Sequence, residues 1–369
     1  MSVIHIKKAE MTSRQRVMTA FSREIPDRVP VDYDCNPGIN RKVAAALGVD
    51  PSDRYAVKTG LGCDFFGVRP KYIGKPLFGP SDKPGITVNS ITGIHTRWVE
   101  HESGGYQDYY DFPLAGADEE VIANWPMPDP DDYDYEGCRD FLRANTDKAI
   151  YYGDPGVGDI INSTGMLMGM EDVLVNLITD DEATLTYVKR KTDQQLAVME
   201  RMLDKYCGDI TFFWMGEDLG TQKGPIIGRD LYLRNIRPVH EKFVKLAKHY
   251  GKMAMIHSCG SSSWAYNDFI EIGIDVVDTL QPEAADMAPA YLKKTYGDRL
   301  AFHGCISTAG PLAYGTVEDV IRDCRQTLDI MMPGGGYAFA PTHAIQDNSP
   351  LENVLAAYNT VHEYGVYQR

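Results

Sequence analysis

Histidine and cysteine stand two residues apart in His257-Ser258-Cys259-Gly260, directly after the apolar run 253–256. That run reads as a β-strand, so both side chains fall just past a strand end and can turn toward one pocket. Imidazole nitrogen and thiolate sulfur are the ligand pair that borderline-soft zinc prefers. Two later strand ends offer ligands of the same kind, Cys305 in His303-Gly304-Cys305 and His343 in Pro341-Thr342-His343. The metal set expected from the sequence is His257, Cys259 and Cys305, with His343 as a substitute. The plainer alternative is a buried thiol beside a hydrogen-bonded imidazole, with no metal.

Zinc on such ligands can keep a further thiol deprotonated, activate water or polarise an oxygen. A nearby carboxylate would then carry the proton. Glu217 and Asp218, which follow the apolar run 210–215, are placed for that work. His343 is the third catalytic candidate. Asp34, Asp154, Gln281 and Gln346 also follow apolar runs and are expected to contact substrate. Taken singly, each of these is as readily a cap or a loop residue. Their common position after strands carries the assignment, because a βα barrel builds its active site at the C-terminal ends of its strands.

The elements that must position these residues alternate regularly. Strands are expected at 149–152, 210–215, 252–257, 276–280, 300–303 and 337–341. Helices are expected at 170–178, 182–206, 229–250, 264–272, 288–296, 316–332 and 351–364. Short apolar strands alternating with long helices imply parallel βα units. Upstream, 12–21 reads as a helix with a hydroxyl cap, 26–34 as a turn into a first strand ending at Asp34, and 40–47 and 53–59 as helices. Residues 86–112, rich in Thr, Val, Ile and Tyr, read as a β-hairpin excursion around Gly104-Gly105. The stretch 126–134, rich in proline and aspartate, reads as a surface linker. The fold expected is α/β, a (β/α)8 TIM barrel with an N-terminal helical and β-hairpin extension, in one domain over 1–369. Within it, 1–130 holds the excursion and 131–369 the main βα repeats. An open dinucleotide-binding sheet lacks its G-x-G-x-x-G signature here.

Bulk properties narrow the function. The 369 residues carry 37 basic and 52 acidic side chains, a net charge of -15. That balance argues against nucleic-acid binding, which needs basic surface to neutralise phosphates. Seven cysteines, dispersed and odd in number, do not read as a disulfide framework. The first residues show no apolar signal region, and no apolar run approaches the ~18–20 residues that span a bilayer. A reducing, cytoplasmic setting is expected, without a membrane partner. Oligomeric state is left open, a homodimer among the options.

Several of these stretches resemble the uroporphyrinogen decarboxylase superfamily: 23–30, 169–171, 218–222, 257–260, 339–343 and 350–353. The resemblance implies a single (β/α)8 barrel with a deep pocket. Uroporphyrinogen decarboxylases grip their substrate's carboxylates with an N-terminal R-Q-A-G-R motif. This chain has Asp32-Tyr33-Asp34-Cys35-Asn36 in that region, without an arginine, so a porphyrinogen substrate is not expected. The other large branch comprises corrinoid-dependent methyltransferases, some with a zinc site of the form His-x-Cys…Cys. His257 and Cys259 match its first two ligands. The third cysteine is expected in the stretch that here reads Gly334-Gly335-Gly336.

The function expected is therefore transfer of a methyl group between a small methylated compound, of methoxy or methylamine type, and the cobalt of a partner corrinoid protein, assisted by zinc. A decarboxylase of a small acid is the second reading, with Arg69 or Arg229 as carboxylate anchor. A non-catalytic barrel that binds a corrinoid or a partner is the third.

Overall fold

The computed structural model describes residues 3–7, 10–102 and 104–368. Seven parallel strands follow one another around a curled sheet in chain order: β1 (Phe65–Val68), β2 (Ala149–Gly153), β3 (Phe212–Gly216), β4 (Met253–His257), β5 (Val276–Thr279), β6 (Ala301–Ile306) and β7 (Tyr337–Pro341). Helices on the outside return the chain between them, as parallel pairing requires. Residues 29–33 fill the space between β7 and β1. The Asp32 amide donates to Phe339 O at 2.9 Å and the Phe339 amide to Pro30 O at 2.8 Å, while on the other side the Asp64 amide donates to Val31 O at 2.8 Å. The sheet thus closes into a TIM-barrel-like α/β fold. Pro30 has no N–H to give, which explains why this eighth position holds only an isolated bridge, Val31 to Phe339, where the sequence suggests a strand.

Side chains alternate in and out along each strand. Those pointing inward at the strand starts are large and apolar: Phe65, Phe212, Met255 and Val276, with Ala149, Ala301 and Ala338 leaving room between them. Val17 and Phe21 of the helix Ser13–Phe21 complete this inner cluster and plug the N-terminal end of the barrel. Phe21 meets Phe212 edge-on at 5.3 Å. Thr12 caps that helix and Gln15 closes the capping box. The outward-facing residues pack under the helices and form the larger part of the core.

Arginine and aspartate lock the same end. Asp64, fully buried, accepts from Arg16 at 2.6 Å, Arg28 at 2.8 Å, the Ser13 hydroxyl at 2.7 Å and the Val31 amide at 2.9 Å. Asp27 holds the other edge of the Arg16 guanidinium at 2.7 Å. Burial opposes the charge on Asp27, but Arg16 and the amides of Met11 and Glu10 outweigh it and hold its pKa below the usual carboxylate range.

The excursion is larger than a hairpin. It is a three-stranded antiparallel sheet of Ile86–Val88, His95–His101 and Gly104–Tyr109. The segment read as a linker is tied down, since Tyr133–Asp134 pairs with Lys71–Tyr72. Among the described residues, no helix is long and apolar enough to cross a membrane.

Candidate functional site

The upper half of the barrel interior is polar. His257 ends β4, Asp278 lies in β5 and His303 in β6, and strand pairing sets Asp278 in register with both histidines. One carboxylate therefore serves two rings: Asp278 Oδ2 lies 2.7 Å from His257 Nδ1, and Oδ1 lies 2.6 Å from His303 Nδ1. Burial disfavours the Asp278 charge, but the two histidines outweigh it and hold its pKa at about 2. An ionised carboxylate only accepts, so both Nδ1 atoms carry protons and both Nε2 atoms are directed elsewhere. His303 is itself pushed up to about 9, burial opposing and Asp278 prevailing. Its Nε2 stands 3.5 Å from Asp32 Oδ2, and Asp32 accepts from Lys58 at 2.6 Å. A buried chain of charge thus runs from His257 to Lys58.

His257 Nε2 faces Cys259 Sγ at 3.3 Å and Asp218 Oδ1 at 3.7 Å. The three ligand atoms lie within 4.8 Å of one another. The edges of a tetrahedron around zinc are roughly 3.4–3.6 Å, from bond lengths of about 2.0–2.3 Å, so nitrogen, sulfur and oxygen here are spaced for one ion. The turn is held from three sides. The Cys259 amide donates to Asp218 Oδ1 at 2.7 Å, Asn162 Nδ2 donates to Asp218 Oδ2 at 2.8 Å, and the Gly260 amide donates to Gln281 Oε1 at 2.6 Å. Gly220 and Gly260 let the two loops touch, because a Cβ on either would sit 2.3–2.4 Å from backbone of the other loop. Burial raises the Cys259 thiol pKa, and the adjacent His257 pulls the other way.

A cavity of about 220 Å³ opens at the mouth, lined by His257, Asp278 and His303 together with Asp32, Asp34 and His343. Trp214, Pro155 and Pro341 form its apolar wall. No arginine or lysine lines it among the described residues.

The sequence-derived candidates separate into groups. His257, Cys259 and Asp218 converge, and Asp34 and His343 line the mouth cavity together with His257. Cys305 does not join them. Gly304 and Cys305 have φ of +130° and +71°, which breaks the strand's alternation, and the thiol is buried in the outer apolar layer instead of the barrel interior. The Gly334–336 turn enters β7 at the opposite end of the barrel, so a cysteine there would not reach the mouth. Glu217 is buried and committed to the start of the helix Ile161–Met168, accepting from the amides of Ile160 at 2.8 Å and Ile161 at 3.0 Å. Desolvation pushes it up to about 7. Gln281 and Gln346 are spent on loops, Gln346 bonding Asn36 at 3.0 Å and Ala344 O at 2.8 Å. Asp154 pairs with Arg69 at 2.7 Å and faces a different cavity. Asp278, Asp32 and Lys58 were not singled out from the sequence. An aspartate inside the apolar run 276–280, at an inward position, was the available signal.

Comparison with known proteins places this geometry. No curated protein matches the chain. Among solved structures, a methyltransferase from Methanosarcina mazei superposes with a TM-score of 0.62 at 16% identity, over 96% of this chain and 99% of that one, a likeness of fold. The family model for uroporphyrinogen decarboxylase (URO-D) matches residues 162–364, which hold β3 to β7 and the clustered Asp218, His257 and Cys259. With more than half of its length matched, the chain belongs to the uroporphyrinogen decarboxylase (URO-D) family.

Proposed function

We propose that this protein is a methyltransferase that moves a methyl group between a small methylated compound, of methoxy or methylamine type, and the cobalt of a partner corrinoid protein. The observation that carries the reading is the Asp218, His257 and Cys259 cluster, which reaches the cavity through His257 and is backed by Asp278. These residues would hold a zinc ion, with Asp218 as third ligand in place of Cys305. When bound, zinc supplies Lewis acidity, which activates a thiol or neutralises charge on a leaving group. Asp278 fixes the His257 tautomer so that Nε2 is presented to the site, the carboxylate–histidine arrangement that raises ligand basicity. The Cys259 amide and Asn162 orient Asp218, and Gln281 pins the turn. Trp214, Pro155 and Pro341 keep the mouth dry on one side, while Asp34 and His343 meet the substrate at the rim. That the M. mazei neighbour is a methyltransferase supports this reading.

A decarboxylase is less well supported. It needs a cation facing the substrate carboxylate. Arg69 is paired with Asp154 away from the mouth, and Arg229 binds Asp268 at 2.8 Å. The test is metal content by mass spectrometry on protein purified without chelator, beside Cys259→Ala, with methyl transfer to a corrinoid protein assayed over methoxy and methylamine donors. Near-stoichiometric zinc and transfer, both lost in a folded Cys259→Ala protein, are expected. Full transfer by that variant would remove the metal role, and carbon dioxide release without cobalamin would favour the decarboxylase.

A further inference from the structure

A second cavity, of about 380 Å³, lies beside the mouth. The two share one wall: Pro155 faces the mouth, while Asp154, Gly156 and Val157 of the same loop face the second chamber. Ile91 and Ile94 from the three-stranded excursion roof it, and the helix Glu182–Tyr206 forms its floor. The methyl transfer proposed above makes no use of this space.

The walls are flat and apolar. Trp125, Tyr133, Tyr152 and Tyr187 all line the chamber. Trp125 is fixed by stacking on Phe78 at 4.8 Å and by donating from Nε1 to Thr92 O at 2.9 Å. Such fixed faces suit an aromatic ring. Both carboxylates of the lining are already engaged, Asp154 by Arg69 at 2.7 Å and Asp159 by the amides of Asn162 at 3.3 Å and Ser163 at 2.5 Å. Tyr152 and Tyr187 are buried as residues and line the cavity, and neither hydroxyl is hydrogen-bonded to protein among the described residues. Tyr187 and Lys191 lie one turn apart on the same helix face. The Lys191 ammonium donates to Asp159 O at 2.6 Å and to Ser163 Oγ, which leaves the third of its donors unspent. Desolvation lowers the Lys191 pKa, and the charges of Asp159, Glu217 and Asp154 oppose it. The two hydroxyls and the remaining ammonium donor line the cavity, where an oxygen placed between them could accept from them.

We propose that this chamber binds a small aromatic compound bearing one acceptor oxygen group, with the ring between the Trp125 and tyrosine walls and the oxygen on Lys191 and Tyr187. The proposal stands independently of methyl transfer. Calorimetric titration of the full chain with benzoate, phenol and benzylamine tests it. Benzoate or phenol should bind and benzylamine should not, and the tighter of the first two identifies the head group as carboxylate or phenol. Lys191→Met should weaken the better probe by about tenfold or more, and Tyr187→Phe by a few-fold. Val198→Phe, which fills the chamber from its floor, should abolish binding, whereas Cys259→Ala at the mouth should leave it unchanged. Circular dichroism checks folding; if Lys191→Met misfolds, Tyr187→Phe and Val198→Phe decide. Binding that survives Val198→Phe but fails in Cys259→Ala would place the ligand in the mouth. That result, or saturable binding of neither benzoate nor phenol, or benzylamine binding as well as benzoate, would overturn the proposal.

Discussion

Two buried charge networks sit at opposite ends of one barrel, and they are built from different cations. At the N-terminal end, Arg16 and Arg28 grip Asp27 and Asp64. At the mouth, His257 and His303 grip Asp278, with Asp32 and Lys58 behind. The lower network is sealed, Arg16 being 1% exposed and Asp64 0%. The upper one opens on a cavity. An arginine cannot discard its charge, so its partner acid is structurally obligatory. A histidine can, so its partner acid is free to serve as an orienting device. Permanent charge is used here for holding the fold, adjustable charge for the site.

The difference can be broken by substitution. Asp64→Ala strands the buried Arg28 guanidinium and takes from Arg16 one of its two acids, and should cost about 3–5 kcal/mol of stability, read by urea unfolding. Asp278→Asn leaves histidines that can become neutral, so it should cost only about 1–2 kcal/mol. It should instead weaken zinc binding by about 10–100-fold, measured by competition with a chelator. An Asp278→Asn protein as unstable as Asp64→Ala, with metal affinity unchanged, would make the two ends equivalent and sink the distinction.

The smallest effect is a slope. Asp27 is held below its ordinary range in the folded state, so its contribution is complete above the unfolded value of about 3.9 and is lost as pH falls below that toward the folded value. Asp27→Asn should therefore flatten the acid limb of stability between about pH 5 and pH 2, by up to one proton's worth of slope. Urea midpoints across that range read it directly. An unchanged slope would show that other carboxylates govern acid unfolding.

The barrel was legible because β2 to β7 are short apolar runs followed by helices, and periodicity reports both, whereas β1, which leads into the antiparallel excursion and not into a helix, was not anticipated. The pairing of His257 with Cys259 was legible because two residues past a strand end cannot separate far. Asp218 was visible but assigned to proton transfer, since its approach to Cys259 depends on two glycine-mediated loops meeting from different strands. Cys305 was misplaced for a local reason: strand alternation puts it on the His303 side, and the inverted φ at Gly304 and Cys305 turns it outward. Asp278 was passed over because it looks like a defect in an apolar strand until its register partners are known. Glu217 could not be told from Asp218 without the helix it caps.

The seam at residues 29–33 has a consequence for how the chain reaches this state. Val31 pairs with Phe339, in a strand that follows the six others in the sequence. Until that strand arrives, the sheet has two open edges, and the contacts that close it join segments with all six other strands between them. Closure is thus a late, non-local event with a slow search behind it. A nascent or truncated chain that stops before β7 would carry exposed strand edges, a template for association with other unfinished chains.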